Sequence, residues 1–90
     1  MDPKKFAQQL TDEGFDEVLA RDLPAGQFVD LHTHAFDVKA LVTAGQVTLG
    51  VGGQLTTYGV GQVFTLPRDS EHSERYGDGG VSYVLGRRHP

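Results

Sequence analysis

Gly26-Gln27-Phe28-Val29-Asp30-Leu31-His32-Thr33-His34 is the stretch on which the fold turns. Side chains alternate faces along an extended strand. Phe28, Asp30, His32 and His34 therefore share one face, with Val29, Leu31 and Thr33 on the other. Two imidazoles one residue apart point to the same side and suit one small object. Neutral imidazole is the commonest metal ligand in proteins. A third imidazole, His72, follows after several strand-like runs, and an antiparallel barrel would return it beside the first two. The expectation is a three-histidine metal centre inside a small β-barrel.

The flanking sequence supports a barrel with a helical head. Only one of 12 glycines, Gly14, precedes residue 26; the others recur at strand-and-turn intervals. From about Asp2 to Glu13 the pattern is helical: Asp2 suits the N-cap, Pro3 the first turn and Gly14 the C-cap. Phe6, Ala7 and Leu10 form an apolar stripe that needs a surface to cover, on the barrel or on a second subunit. Residues 1–14 are thus the N-terminal helix and residues 15–90 one barrel domain. Phe15 to Leu23 reads as an edge strand, Phe28 to His34 as the next, and Val38 to Ala44 as a strand closed by Gly45. Gln46 to Val51 and Gln54 to Tyr58 flank Gly52-Gly53, a two-residue hairpin signal. Gln62 to Leu66 follows, then His72 to Tyr76, a Gly77–Gly80 turn, and Val81 to Arg87. About eight short strands on short links indicate an all-β antiparallel sandwich or barrel.

Composition excludes several functions. The chain has 90 residues, so its core is small and a metal or a partner subunit would help it. There is no cysteine, which removes disulfides and thiolate metal sites. The net charge is −4 and no Lys/Arg run exceeds two residues, a poor match to the phosphate-driven binding of nucleic acid. No apolar run is long enough to span a bilayer and the N-terminus has no signal-peptide core, so the expected compartment is the cytoplasm, without membrane contact. No G-x-S-x-G, Walker A or G-x-G-x-x-G fingerprint is present.

Gly26 through His34, closed by Gly45, resembles the first cupin motif: glycine, five residues, then His-x-His. Gly61-Gln62-Val63-Phe64-Thr65-Leu66-Pro67, with His72 five residues on, resembles the second. Together they cover residues 26 to 76. The resemblance implies a double-stranded β-helix (jelly-roll) barrel, often dimeric, with a divalent transition metal (Zn, Fe, Ni or Mn) at its centre. It carries over His32, His34 and His72 as metal ligands. It does not carry over the family's glutamate, whose places hold Val38 and Lys39. Asp37, one residue early, is a candidate ligand if a β-bulge re-aims it, and otherwise a turn-capping group. The loop glycine of the second motif is Asp69 here, and its final asparagine is Tyr76.

Strand parity offers another carboxylate. Glu74 lies two residues after His72 and faces the same way. It either closes a three-His/one-carboxylate shell, pairs with Lys39 or turns out to solvent; beside a metal it is also the natural general base. Tyr76, Phe28 and Phe64 are candidates for a pocket wall or for plain core. His89, next to the C-terminal Pro90, is expected to be free. These residues suit a metal-dependent enzyme on a polar small molecule (oxygenase, isomerase or lyase), a metal-bearing binding or sensing module, or a structural barrel with an empty site. The expected partners are a small-molecule ligand and a second copy of the chain, contacting through Phe15, Val18, Leu19, Val38 and Val42.

Overall fold

The computed structural model describes all 90 residues: one helix, α1 (Pro3–Asp12), followed by β1 (Glu17–Leu23), β2 (Phe28–His32), β3 (Asp37–Val51), β4 (Gln54–Gly59), β5 (Val63–Leu66) and β6 (His72–Arg88). Six strands replace the eight expected, because β3 and β6 each run through a glycine site that the sequence suggested as a break. The first half of β3 pairs with β5 and with the second half of β6; its second half pairs with β4 and the first half of β6. β1 lies along the second half of β6 and β2 along the first. All pairings are antiparallel, and the two long strands, pairing with three neighbours each, curl the sheet into a barrel.

The bend in these strands is where glycine is required. Gly45 and Gly80 hold φ +68° and +81°, and β3 shifts register between Val42 and Ala44 and between Gly45 and Val47. A Cβ on Gly45 would collide with the Gly80 carbonyl, and one on Gly80 would lie 2.5 Å from the Leu23 carbonyl oxygen. Gly45 and the Gly77–Gly80 run therefore bend continuous strands instead of ending them, since each strand keeps a hydrogen-bonded partner through the bend. At Gly52-Gly53 both residues have positive φ and Val51 pairs with Gln54, the two-residue hairpin the sequence indicated.

Two faces of the sheet bury different residues. Inside lie Val38, Ala40, Val42, Val47, Leu49, Phe64, Leu66, Tyr76, Val81, Tyr83 and Leu85. Outside, Leu41 meets Phe6 and Leu10 of α1 and Phe15 just beyond it. The helix starts where the Asp2 carboxylate accepts from the Lys4 amide (2.8 Å), and Gly14 follows its C-cap with φ +91°. Ten residues are marginal as an isolated helix. Burying Phe6 and Leu10, at about 1.5–3 kcal/mol each, is what holds α1 in place.

That docking corrects the expected dimer face. Phe15, Val38 and Val42 are buried within the chain and Leu19 packs against its core, so only Val18 of that set is exposed. No helix is long and apolar enough to cross a membrane.

Candidate metal centre

His32 reaches the barrel interior through an irregularity in β2. Val29 pairs with Glu74 and His32 with His72, so three steps on β2 oppose two on β6. The extra residue is a β-bulge, which reverses the alternation beyond it. Val29 therefore packs toward the core ahead of the bulge and His32 joins the interior after it, while Phe28 and Asp30 stay exposed. The sequence placed Phe28, Asp30, His32 and His34 on one face; the bulge separates the first two from the imidazoles. Phe28 lies under the Arg75 guanidinium instead of lining a pocket. The bulge also fixes the ring, because His32 Nδ1 lies 2.7 Å from the Asp30 carbonyl oxygen.

His72 is fully buried at the start of β6, directly across from His32, and its Nδ1 lies 3.0 Å from the Ser70 carbonyl oxygen. His34 sits just past the end of β2, stacked at 12° on Phe36 with 4.9 Å between ring centroids. The loop before His72 is tied to it: the Asp69 amide donates to the His34 carbonyl (2.8 Å). Asp69 takes φ +63°, the left-handed conformation that aspartate tolerates better than most residues. It thus fills the place of the motif's glycine without losing the turn.

The three ring centroids stand 4.3 to 5.1 Å apart, and one ligating atom each from His32, His34, His72 and Glu74 fall within 4.8 Å of one another. Electrostatics then points to a cation. A carbonyl only accepts, so in both His32 and His72 the hydrogen sits on Nδ1 and the neutral ring presents a lone pair at Nε2. Glu74 Oε2 lies 3.1 Å from His32 Nε2 and 3.6 Å from His72 Nε2. Lone pairs facing a carboxylate oxygen repel unless a proton or a metal ion lies between them. His72 Nε2 has no hydrogen-bond partner although it is buried, which costs about 1–3 kcal/mol when nothing else satisfies it. Two donors bound to one ion at about 2.1 Å are about 3.0 Å apart at a right angle and about 3.4 Å at the tetrahedral angle. The observed 3.1 Å falls within that range and 3.6 Å lies just beyond it. Burial, then the His72 and His32 rings, pushes the His34 pKa below the ordinary imidazole value, favouring the neutral form that ligates. The donor set therefore fits a divalent transition metal, and the backbone bonds at Nδ1 give two rings the support that metal-bound histidines usually have.

Beside this group lies a cavity of roughly 200 Å³. His34 and Glu74 form its polar wall, Val29, Val38, Phe64 and Leu66 part of its apolar lining, and Arg21 and Arg87 further polar ground. Tyr76 and Tyr83 also line it. Burial and then the Glu74 charge push the Tyr76 phenol up to about 12 and move Tyr83 in the same direction, so both stay protonated. Sequence reasoning did not single out Arg21 and Arg87. The available signal was parity, since Arg21 alternates with Leu19 and Leu23, and Arg87 with Leu85 and Tyr83.

Three sequence expectations are corrected here. Asp37 does not join the histidines. Its Oδ1 accepts from the Arg68 amide (2.8 Å), and its Oδ2 lies 3.2 Å from Arg68 Nη2 and 3.3 Å from Arg88 Nη2. The Arg68 hydrogen bonds, with Arg88 assisting, hold its pKa at about 2, and its role is to fasten the Pro67–Ser70 loop and the chain end. Lys39 does not reach Glu74 but pairs with Glu13 at 2.9 Å on the outer face, linking α1 to β3. His89 is not free, because its amide and Nδ1 both engage the Asp16 carboxylate, at 2.8 and 2.7 Å.

The chain is thus an antiparallel barrel with three imidazoles and a carboxylate gathered at one place, a group that could hold a metal, and solved structures share its fold. No protein-family model and no curated protein matches the sequence. A crystal structure of a protein of unknown function from Rhizobium leguminosarum bv. viciae 3841 superposes with TM-score 0.75 at 19% identity, covering 81% of this chain and 69% of that one. The cupin domain of Schizosaccharomyces pombe Cnp3 gives 0.71 at 16% identity (81% and 52% covered). The DMSP lyase DddQ from Ruegeria pomeroyi DSS-3 gives 0.69 at 21% identity (79% and 36% covered), so this chain spans about a third of that protein and half of the Cnp3 one. Other cupin structures match likewise. The chain has the cupin fold.

Proposed function

We propose that the protein is a metal-binding cupin that takes a polar small molecule at a divalent ion held by His32, His34, His72 and Glu74. One observation carries this reading: a buried, partnerless His72 Nε2 and a His32 Nε2 3.1 Å from Glu74 Oε2 meet beside a cavity that Glu74 lines. A bound ion supplies Lewis acidity toward a ligand oxygen, as in oxygenase, isomerase or lyase chemistry. The chain's own residues orient that ligand. Tyr76 and Tyr83 donate hydrogen bonds from phenols that stay protonated, and the apolar lining excludes water.

A second reading, binding without turnover, has its own support. Glu74 is the sole carboxylate lining the cavity, and its oxygen lies at ligand distance from two rings. Once it serves the ion, no other acidic side chain remains there as a general base. Two measurements decide between these readings. Metal analysis of the purified protein should give about one equivalent, lost in His72→Ala; equal, negligible metal in both would refute the proposal. With metal retained, Glu74→Gln separates the roles. A drop in metal affinity marks Glu74 as a ligand, whereas unchanged metal with lost turnover marks it as the base.

A further inference from the structure

The charge distribution around the cavity runs against that of the chain. The protein carries a net −4, yet its cavity is lined by two guanidinium groups, and its one carboxylate, Glu74, is turned toward the histidines. Arg21 occupies an inward position of β1, opposite Tyr83, in a row with Leu19 and Leu23. It has no carboxylate within 4.0 Å, as the ion pairs of the chain all involve other cations. Arg87 follows Tyr83 and Leu85 on the inner face of β6. Its Nη1 meets Glu17 at 3.1 Å, but its Nε is buried with no partner. The Arg87 guanidinium lies 5.1 Å from the Phe36 ring, which His34 stacks on and the His89 ring meets at 5.2 Å. One aromatic ring thus separates a partly unsatisfied guanidinium from the metal-binding group. Arg21 is exposed where it lines the cavity, and Arg87 keeps one buried N–H without a partner, so both can still donate to a ligand there. A guanidinium matches a carboxylate in both charge and geometry.

We propose that the cavity is built for a small organic acid, with its carboxylate held by Arg21 and Arg87 and its oxygen-bearing far end directed to the His34–Glu74 wall. The volume of roughly 200 Å³ corresponds to about seven waters' share of liquid, which sets the scale of the ligand. The carboxylate half stands on the arginines alone, and the far half rests on the metal reading above. The competing role for Arg21 is to guard the edge strand β1 against pairing with another sheet, a known use of inward-facing charge. That role requires no ligand.

Titration of the zinc-loaded protein with ω-hydroxy acids of two to five carbons, and with their primary amides, tests the proposal. At least one acid should bind ten-fold or more tightly than its amide. Arg21→Gln should remove most of that preference while leaving amide binding and zinc content unchanged, and Arg21→Lys should restore part of it. Arg21 is exposed on an edge strand, so these variants keep the fold. Equal binding of every acid and its amide, no binding of any acid, or an acid affinity indifferent to Arg21→Gln would overturn the proposal. The same titration on His72→Ala keeps the two readings apart. A preference that persists there without zinc means that the arginines act without the ion, whereas an acid preference in a wild type that takes up no zinc means that the metal reading fails and this one stands. Zinc bound without any preference means the reverse.

Discussion

Replacing His72 with leucine should change stability in opposite ways with and without metal. The side chain is completely buried, its Nδ1 donates to the Ser70 carbonyl and its Nε2 has no partner. In the metal-free protein, removing the orphaned nitrogen relieves about 1–3 kcal/mol, while losing the Ser70 bond costs about 0.5–1.5 kcal/mol. Leucine is close in volume and apolar, so the net effect runs from about 0.5 kcal/mol destabilising to about 2.5 kcal/mol stabilising. With metal present at a hundred times its dissociation constant, the wild type gains about 2.7 kcal/mol from binding, and the variant forfeits most of it. For a domain of this size 1 kcal/mol moves Tm by about 4–8 °C. Added zinc should therefore raise the wild-type Tm by about 10–20 °C and leave His72→Leu almost unmoved. Calorimetric scans of both proteins in chelator and in zinc measure all four states. A His72→Leu penalty of equal size in chelator and in zinc would refute the reasoning, for it would mean that the imidazole is a structural group and the ion incidental.

Three further outcomes test the frame around the site. Leu41→Ala, which opens a cavity beneath α1, should cost about 2–5 kcal/mol in urea unfolding; a loss under 1 kcal/mol would mean that the helix is not held by this contact. Gly45→Ala combines a positive φ with a Cβ driven into the Gly80 carbonyl, and should reduce stability more than Gly26→Ala, where the φ is also positive but the space is open. Equal losses would show that crowding at the bend is unimportant. Asp37 has its pKa lowered from 3.8 to about 2, so the stability it confers is complete above about pH 4 and lost as pH falls toward 2. Asp37→Asn should therefore be less stable than wild type at pH 7, and the two should converge near pH 2. Parallel curves across that range would refute the assignment of its partners.

What the sequence conveyed, and what it withheld, divides along local and long-range lines. His72, Glu74 and Tyr76 follow unbroken alternation at the start of β6, so their shared inward direction could be read from spacing. The helix was equally readable, because Asp2, Pro3, Phe6, Leu10 and Gly14 each act within a few residues of chain. Asp37 could not be placed the same way: its partners are 31 and 51 residues away, and nothing near it in sequence marks them. The β2 bulge likewise lacks a sequence marker, so the face assigned to Phe28 and Asp30 was wrong although His32 was correctly turned inward. Gly45 and Gly77–Gly80 resemble strand ends because glycine signals unusual backbone geometry. Whether the chain turns back there or only bends depends on partners from elsewhere in the sheet.

The extra residue in β2 has an evolutionary consequence. A strand's inside and outside are set by counting, and Val29 and His32, three positions apart, both face the interior only because the bulge between them absorbs one position. Losing a single codon there would leave the two residues two positions apart, and an unbulged ladder would present the same imidazole to the same interior. This stretch of β2 therefore tolerates one in-frame deletion, with the barrel and the direction of the imidazole left intact.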